Sequence, residues 1–320
     1  MNKTTTQDIV NINSFYSRDL LFRAVPRLVH NRFAQIKNIP EGNSSTIKFK
    51  RLSNLAVAST PLQEGVTPLG KKMAETIVTA TVQQYGDYIT LTDKLTMTTE
   101  DAVRLDANML LGQQSGNTID QLTRDILVTG TNVVYGGSGN TQTSDVAAGD
   151  VITTAMVDAA ELTLNLNNAM LMTSFVDAST GYSTVPLPPC YIGICHVAIS
   201  PKIRAFTGFT KVELYAQAGA RMEGEIGRYG YTRFIETTNA KIFTGAGTSN
   251  IDVYATLIMA MYAYGTSAIN GNALVNIVKP LGSGGTSDPL DQRETSGWKA
   301  TFVAKILNDD FIVRLEHAKV

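Results

Sequence analysis

The chain has 320 residues, 43% of them apolar and 17% charged, with 27 Lys and Arg set against 28 Asp and Glu. That length buries a substantial core without metals or disulfides, and two cysteines, Cys190 and Cys195, are too few for a disulfide framework. A net charge of −1 gives no polyelectrolyte character, while a charged fraction below the usual ~25% leaves much surface to be covered by partners or by uncharged polar groups.

The start, MNKTTTQDIV, lacks the apolar stretch of a secretory signal, so synthesis and retention in a cytoplasm are expected. Residues 1–51 are nonetheless basic, with nine cations against three anions. Within them, Leu21, Val25, Val29, Phe33 and Ile36 recur three or four apart, interleaved with Arg18, Arg23, Arg27 and Arg32. The spacing predicts an amphipathic helix over 16–36 with a basic face, kinked or restarted at Pro26. Such a face is either solvated or set against nucleic acid through non-specific phosphate contacts.

Residues 45–52 alternate, with Ile47 and Phe49 on one side and Lys48 and Lys50 on the other, as in a half-exposed strand. Residues 77–91, rich in β-branched side chains, predict a second extended run that pairs back on the first, with a bulge or bend at Gly86. More than twenty residues separate the two, including Pro61, Gly65, Pro68 and Gly70, although a hairpin turns in about two to five. Residues 46–92 are therefore expected to project as an arm that needs a surface to lie on.

A long helix is expected over 99–129, opened by Thr98 and Asp101 and supplied with apolar contacts by Val103, Leu110, Ile119, Leu122, Ile126 and Leu127. Gly112 and Gly116 weaken its continuity. A loop over 130–149 and a second helix over 157–170 follow, then mixed strands and turns to about Ser267. The apolar run 251–264 is too short for a membrane span and contains Asp252, so it reads as a buried element. After a glycine-rich loop at 282–289, the alternation of Trp298, Ala300, Phe302, Ala304 and Ile306, a turn at 308–310, and the return of Phe311, Val313 and Leu315 predict a C-terminal β-hairpin.

Little of this sequence carries catalytic chemistry. His30, His196 and His317 fall on different elements, and no G-x-S-x-G elbow is present. Cys190 and Cys195 precede His196 in an apolar run with no second pair to complete a zinc site, so both thiols read as small buried hydrophobes. The glycines at 136–139 lack the Lys-Ser/Thr of a phosphate loop, and those at 224–230 lack the strand-turn-helix setting of a dinucleotide site. Neighbouring carboxylates, Glu223 with Glu225 and Asp309 with Asp310, read as solvated turns. No cofactor and no metal is expected.

The runs LVHNRFAQ (28–35), TIKFKR (46–51), PLQEGVTP (61–68) and TVQQYGDY (81–88), with GEIGRYGYTRFIET (224–237) as a further signature, together resemble the major capsid proteins of tailed bacteriophages, specifically of short-tailed, N-four-like phages and related prophages. The resemblance implies an α+β chain of the Hong Kong 97-type capsid fold. It would comprise an N-terminal arm (1–45), an extended β-hairpin or E-loop (46–92), a peripheral domain with a long spine helix (93–150), an axial domain (151–270) and a return to the peripheral domain (271–320). It also implies self-assembly as pentamers and hexamers into an icosahedral shell around double-stranded DNA, inside the bacterial host and then in the virion, with no membrane partner. Portal, scaffold or decoration proteins would be further partners.

On that reading Pro61, Leu62, Glu64, Gly65, Val66 and Pro68 form a subunit interface, and Arg23, Arg27 and Arg32 face DNA or another subunit. Two alternatives are a decoration or tail protein, and an intracellular hydrolase using His196 or a carboxylate pair.

Overall fold

The computed structural model describes residues 29–61, 64–65, 67, 70–98, 103–172, 189–212, 222–285 and 288–319. In chain order these form β1 (Gln35–Ile36), β2 (Thr46–Leu52), β3 (Glu75–Thr81), β4 (Gln83–Thr92), α1 (Asp93–Thr98), α2 (Val103–Leu127), β5 (Val133–Tyr135) and α3 (Thr154–Leu166). There follow β6 (Tyr191–His196), α4 (Ser200–Arg204), β7 (Thr210–Lys211), β8 (Glu225–Tyr229), β9 (Thr232–Thr237) and β10 (Ile242–Phe243). The last strands are β11 (Val253–Met259), β12 (Tyr264–Ser267), β13 (Val275–Lys279), β14 (Arg293–Ile306) and β15 (Ile312–Ala318).

Every residue of β11 is buried, because this strand runs through an eight-stranded sheet ordered β5-β15-β11-β6-β9-β8-β7, with β10 also on β11. Successive side chains of a strand point to opposite faces. Tyr254 and Ile258 of β11, Tyr191 and Cys195 of β6, and Val313 and Leu315 of β15 accordingly share one cluster with Met156, Val157, Ala160 and Leu164 of α3. Leu257 and Met259, Ile192 and Ile194, and Ile312 join Phe33, Leu127 and Val128 on the other face. Covered on both sides, these strands need apolar residues at every position, which is why the run 251–264 resembles a hydrophobic segment without being one for a membrane. Among the described residues no helix is long and apolar enough to cross a bilayer.

A second sheet of five strands is ordered β1-β12-β14-β13, with β4 on β14. Trp298, Ala300, Phe302 and Ala304 of β14 face Leu111 and Ile119 of α2, as their alternation predicts. Polar contacts fix the helix lengthwise: Arg104 donates from Nε and Nη2 to the two carboxylate oxygens of Glu294, each at 2.5 Å, and the Trp298 indole donates to Gln114 at 3.1 Å. The 25 residues of α2 make a rod of roughly 37 Å, unbroken at Gly112 and Gly116. Of its expected cap, Thr98 is instead the last residue of α1, and Asp101 lies outside the described residues. Leu110 is turned outward, and Leu111 takes the inward place.

Several expectations are corrected. Residues 29–34 turn instead of continuing a helix, and Gln35–Ile36 is a strand parallel to β12; the rest of the expected helix, 16–28, lies outside the described residues. The reason is tertiary. The Asp120 carboxylate of α2 accepts the Val29 and His30 backbone N–H groups at 2.9 and 2.8 Å, offering them partners that a helix would not. Residues 77–91 are two strands that part at Val82: β3 pairs with β2, whereas β4 pairs with β14 over ten residues without a bulge, so β4 belongs to the sheet and the arm ends at Thr81. The loop over 130–149 contains β5, parallel to β15.

The C-terminal hairpin is also absent. Because β14 already has β4 along one flank and β13 along the other, β15 crosses to the eight-stranded sheet and pairs with β11 and β5. The turn is tied to that sheet by Asp309, whose carboxylate accepts the Thr131 N–H at 3.1 Å.

Candidate assembly interface

The strands β2 and β3 form a two-stranded ladder of seven residue pairs, from Thr46 opposite Thr81 to Leu52 opposite Glu75, roughly 23 Å long. It is closed at its base by the Val82 N–H donating to Ser45 O at 2.8 Å and prolonged at its outer end by Ser53 N–H donating to Ala74 O at 2.9 Å. Beyond this the Lys71 ammonium donates to Ala56 O at 2.6 Å, joining the two sides of the connecting loop. The expected pairing of 45–52 with the following extended run is thus observed.

One face of the ladder is anchored and the other is open. Phe49 and Ala80 are buried against the body, and the Phe49 ring lies 3.2 Å from where a Cβ on Gly265 would be, so glycine there makes room for it. A cleft of about 750 Å³ lies beside this anchor, bordered by Lys37, Arg51, Tyr262 and Asn308, and Arg51 donates to Asn308 across it. Lys50 pairs with Glu75 at 3.6 Å on the solvent face, an exposed contact of little weight.

Further out, the arm stands exposed among the described residues: Leu52 and Leu55 are each 58% exposed, Met73 72% and Val57 87%. Pro61, Glu64 and Gly65 are exposed, and Gly65 turns the chain with φ of +78°, a left-handed conformation that suits glycine. Of the other expected interface residues, Leu62, Val66 and Pro68 lie outside the described residues, as do Arg23 and Arg27. Arg32 is exposed, on the turn at 29–34.

The groups that could carry chemistry are used structurally. The Asp120 carboxylate, besides holding residues 29 and 30, contacts His30 Nδ1 and accepts from Asn239 Nδ2, each at 3.0 Å. Burial pushes its carboxyl up, but the hydrogen bonds from His30 and Asn239 and the coulombic effect of His30 outweigh this and hold it below the usual carboxylate range. His317 is buried, with Nε2 3.0 Å from Thr256 Oγ1, and His196 accepts the Ala198 N–H. Cys190 and Cys195 are free and fully buried, and burial raises their thiols to about 11 and about 12. Among the described residues no group of three or more His, Cys, Asp or Glu is placed to hold a metal.

Sequence reasoning missed two polar centres. Glu225, expected in a solvated turn, is buried and paired with the equally buried Arg233 across the β8–β9 hairpin, with Arg233 Nε donating at 2.6 Å. Glu161 of α3 accepts the Tyr231 N–H and the Thr232 hydroxyl at 2.9 and 2.8 Å, tying helix to hairpin. The signal for both was a charged residue inside an otherwise apolar period, legible only once its partner is placed.

A family model described as phage capsid protein matches residues 75–315. Among solved structures, the capsid of Ralstonia phage GP4 superposes with a TM-score of 0.70 at 14% identity, covering 91% of this chain and 88% of that one. The cyanophage Pam1 capsid asymmetric unit gives 0.64 at 14% identity over 91% and 93%, and the head structure of Helicobacter pylori bacteriophage KHP40 gives 0.61 at 12% over 91% and 88%. No curated protein matches the sequence. With three quarters of its length inside the family match and a mixed α+β fold shared with phage shells, the chain belongs to the phage capsid protein family: it is a structural protein, a major capsid protein of a tailed phage whose copies form the head shell.

Proposed function

We propose that the copies are joined by the β2–β3 arm, which leaves its own subunit and lies across a neighbouring one. The observation that carries this is the row Leu52, Leu55, Val57 and Met73, left exposed on an extended segment. Burying such side chains is worth about 1.5–3 kcal/mol each when complete, before ordering costs, so one arm contributes several kcal/mol and a shell repeats it in every copy.

The arrangement is of the Hong Kong 97 type. Residues 46–81 are the E-loop and α2 is the spine helix. The five-stranded sheet forms the peripheral domain, and the eight-stranded sheet with α3 forms the axial domain, around which pentamers and hexamers close. The shell encloses double-stranded DNA, with Arg23, Arg27 and Arg32 of the basic N-terminal segment facing it or a neighbouring subunit, and it assembles in the host cytoplasm alongside portal, scaffold or decoration proteins.

Deleting residues 61–70 tests the clamp. The expected outcome is a folded subunit, by circular dichroism and thermal melting, that yields no shells under the electron microscope. Normal shells from the deleted chain would overturn it.

A further inference from the structure

We infer that Asp87 blocks the open edge of β4 against pairing with the β4 edge of a second copy, which keeps subunits apart until they assemble. The inference is independent of the clamp proposed above.

The edge follows from register. Thr301 donates its N–H to Asn272 O at 3.1 Å, on the flank of β14 that carries β13. In an antiparallel strand the N–H and C=O of one residue point to the same flank, and successive residues alternate. Thr295, Gly297 and Lys299 therefore turn the same way as Thr301. Their partners on β4, which are Thr90, Tyr88, Gly86 and Gln84, turn their backbone groups away from β14. The Asp87 carbonyl oxygen has the opposite phase, lying on the β14 side, 2.9 Å from where a Cβ on Gly297 would be.

Among the described residues no strand covers that outer flank of β4. With ten residues in regular register, roughly 33 Å, and no proline or lysine, it is the longest open edge of the two larger sheets. An edge of this kind is a template for a further strand. The opposite edge, β13, has five residues and ends in Lys279 followed by Pro280, both of which discourage pairing.

On β4 the sole charged residue is Asp87. It stands opposite Trp298, where its Oδ2 accepts from Gln114 Nε2 at 2.6 Å, and Gln114 Oε1 in turn accepts from the Trp298 indole. So held, Asp87 Oδ1 accepts the N–H of Tyr88 at 2.8 Å, one of the four outward N–H groups and near the middle of the edge. The bonds from Gln114 and from the Tyr88 N–H keep the carboxyl below the usual carboxylate range, so the group at this position is an anion. An incoming carbonyl oxygen would meet a carboxylate where it needs a donor.

Self-pairing is opposed a second time by symmetry. The antiparallel register that uses all four outward residues of both copies sets Gln84 against Thr90 and Gly86 against Tyr88. It also sets the two Asp87 residues directly opposite one another, where like charges destabilise the ladder. A second copy is the strand to be excluded, because a shell requires the chain in many copies and each brings the same edge.

Sedimentation velocity of the full chain, below the concentration at which wild-type shells form, tests this. D87A should associate at a concentration at least tenfold lower than wild type does, with an infrared band of intermolecular sheet. D87N, which keeps the shape and drops the charge, gives the same reading should D87A fail to fold. Adding T90P should restore the wild-type threshold, because proline there removes an outward N–H and leaves the ladder to β14 intact; Q84P serves the same purpose. An unchanged threshold in D87A or D87N, folded by circular dichroism, would overturn the assignment. So would association that the edge prolines leave in place, since another surface would then be responsible.

Discussion

Replacing Phe49 with Ala should release the arm without unfolding the body. Phe49 is only 6% exposed, whereas Lys48 and Lys50 on either side of it are exposed, so it is the main apolar tether in β2. Removing a buried phenyl group costs about 3–5 kcal/mol in a closed core. The ring here borders an open cleft of about 750 Å³ that water can fill, so the lower end, ~3 kcal/mol, applies. Phe49 belongs to none of the four buried clusters, so that loss falls on the docking of the arm. At 1.4 kcal/mol per factor of ten, about a hundredfold faster amide exchange is expected in β2 and β3 of the unassembled F49A chain. Amides of β11 and β15 should keep their wild-type rates. Hydrogen-exchange mass spectrometry reads both regions in one experiment. Equal protection of the arm in both proteins, or acceleration of arm and body together, would refute the idea of a locally tethered ribbon.

Two further predictions concern the body. His317 is held neutral, since burial lowers its pKa to about 4. The unfolded chain takes up that proton below ~6.5 and the folded chain only below about 4, so the stability from this group is complete above ~6.5 and is lost as pH falls toward 4, up to ~3 kcal/mol in all. A chemical-shift titration of the ring should stay flat to near pH 4, and a midpoint near 6.5 would contradict the burial argument. Glu225→Gln removes the carboxylate charge that faces the buried Arg233 guanidinium, so urea denaturation should show a loss of about 3–5 kcal/mol; replacing both residues with leucine should cost less than that, and a larger cost for the pair would show that the ion pair itself stabilises the fold.

Much of this architecture was legible in the sequence because it depends on period alone. Alternation in Trp298, Ala300, Phe302 and Ala304 defines the face that meets α2, and an apolar residue at almost every position marks β11 as covered on both sides. The overlong connection between β2 and β3 marked the arm before any partner was known. Partner choice is where period fails. The residues of β14 and β15 alternate as a hairpin would, yet the two strands lie in different sheets, because alternation fixes which face is buried and not which neighbour supplies the ladder. Helical spacing over 29–36 was overridden by a single carboxylate ninety residues away, and the pairing of Glu225 with Arg233 depends on a hairpin register that no local pattern encodes.

The same distinction bears on the shell. A chain only 14% identical to that of Ralstonia phage GP4 reaches a TM-score of 0.70 because burial periods can be kept while most side chains change. A contact between copies is constrained differently. On the proposed clamp, the arm and the surface that receives it are written in one sequence, so a single substitution alters every such contact in the shell at once. A change in the arm is then multiplied over all copies, and it is relieved by a second change in the same chain. Donor and receptor can therefore change together while the sheets that present them stay as they are, which is why residues at such a contact are hard to recognise from sequence although the arm that delivers them is not.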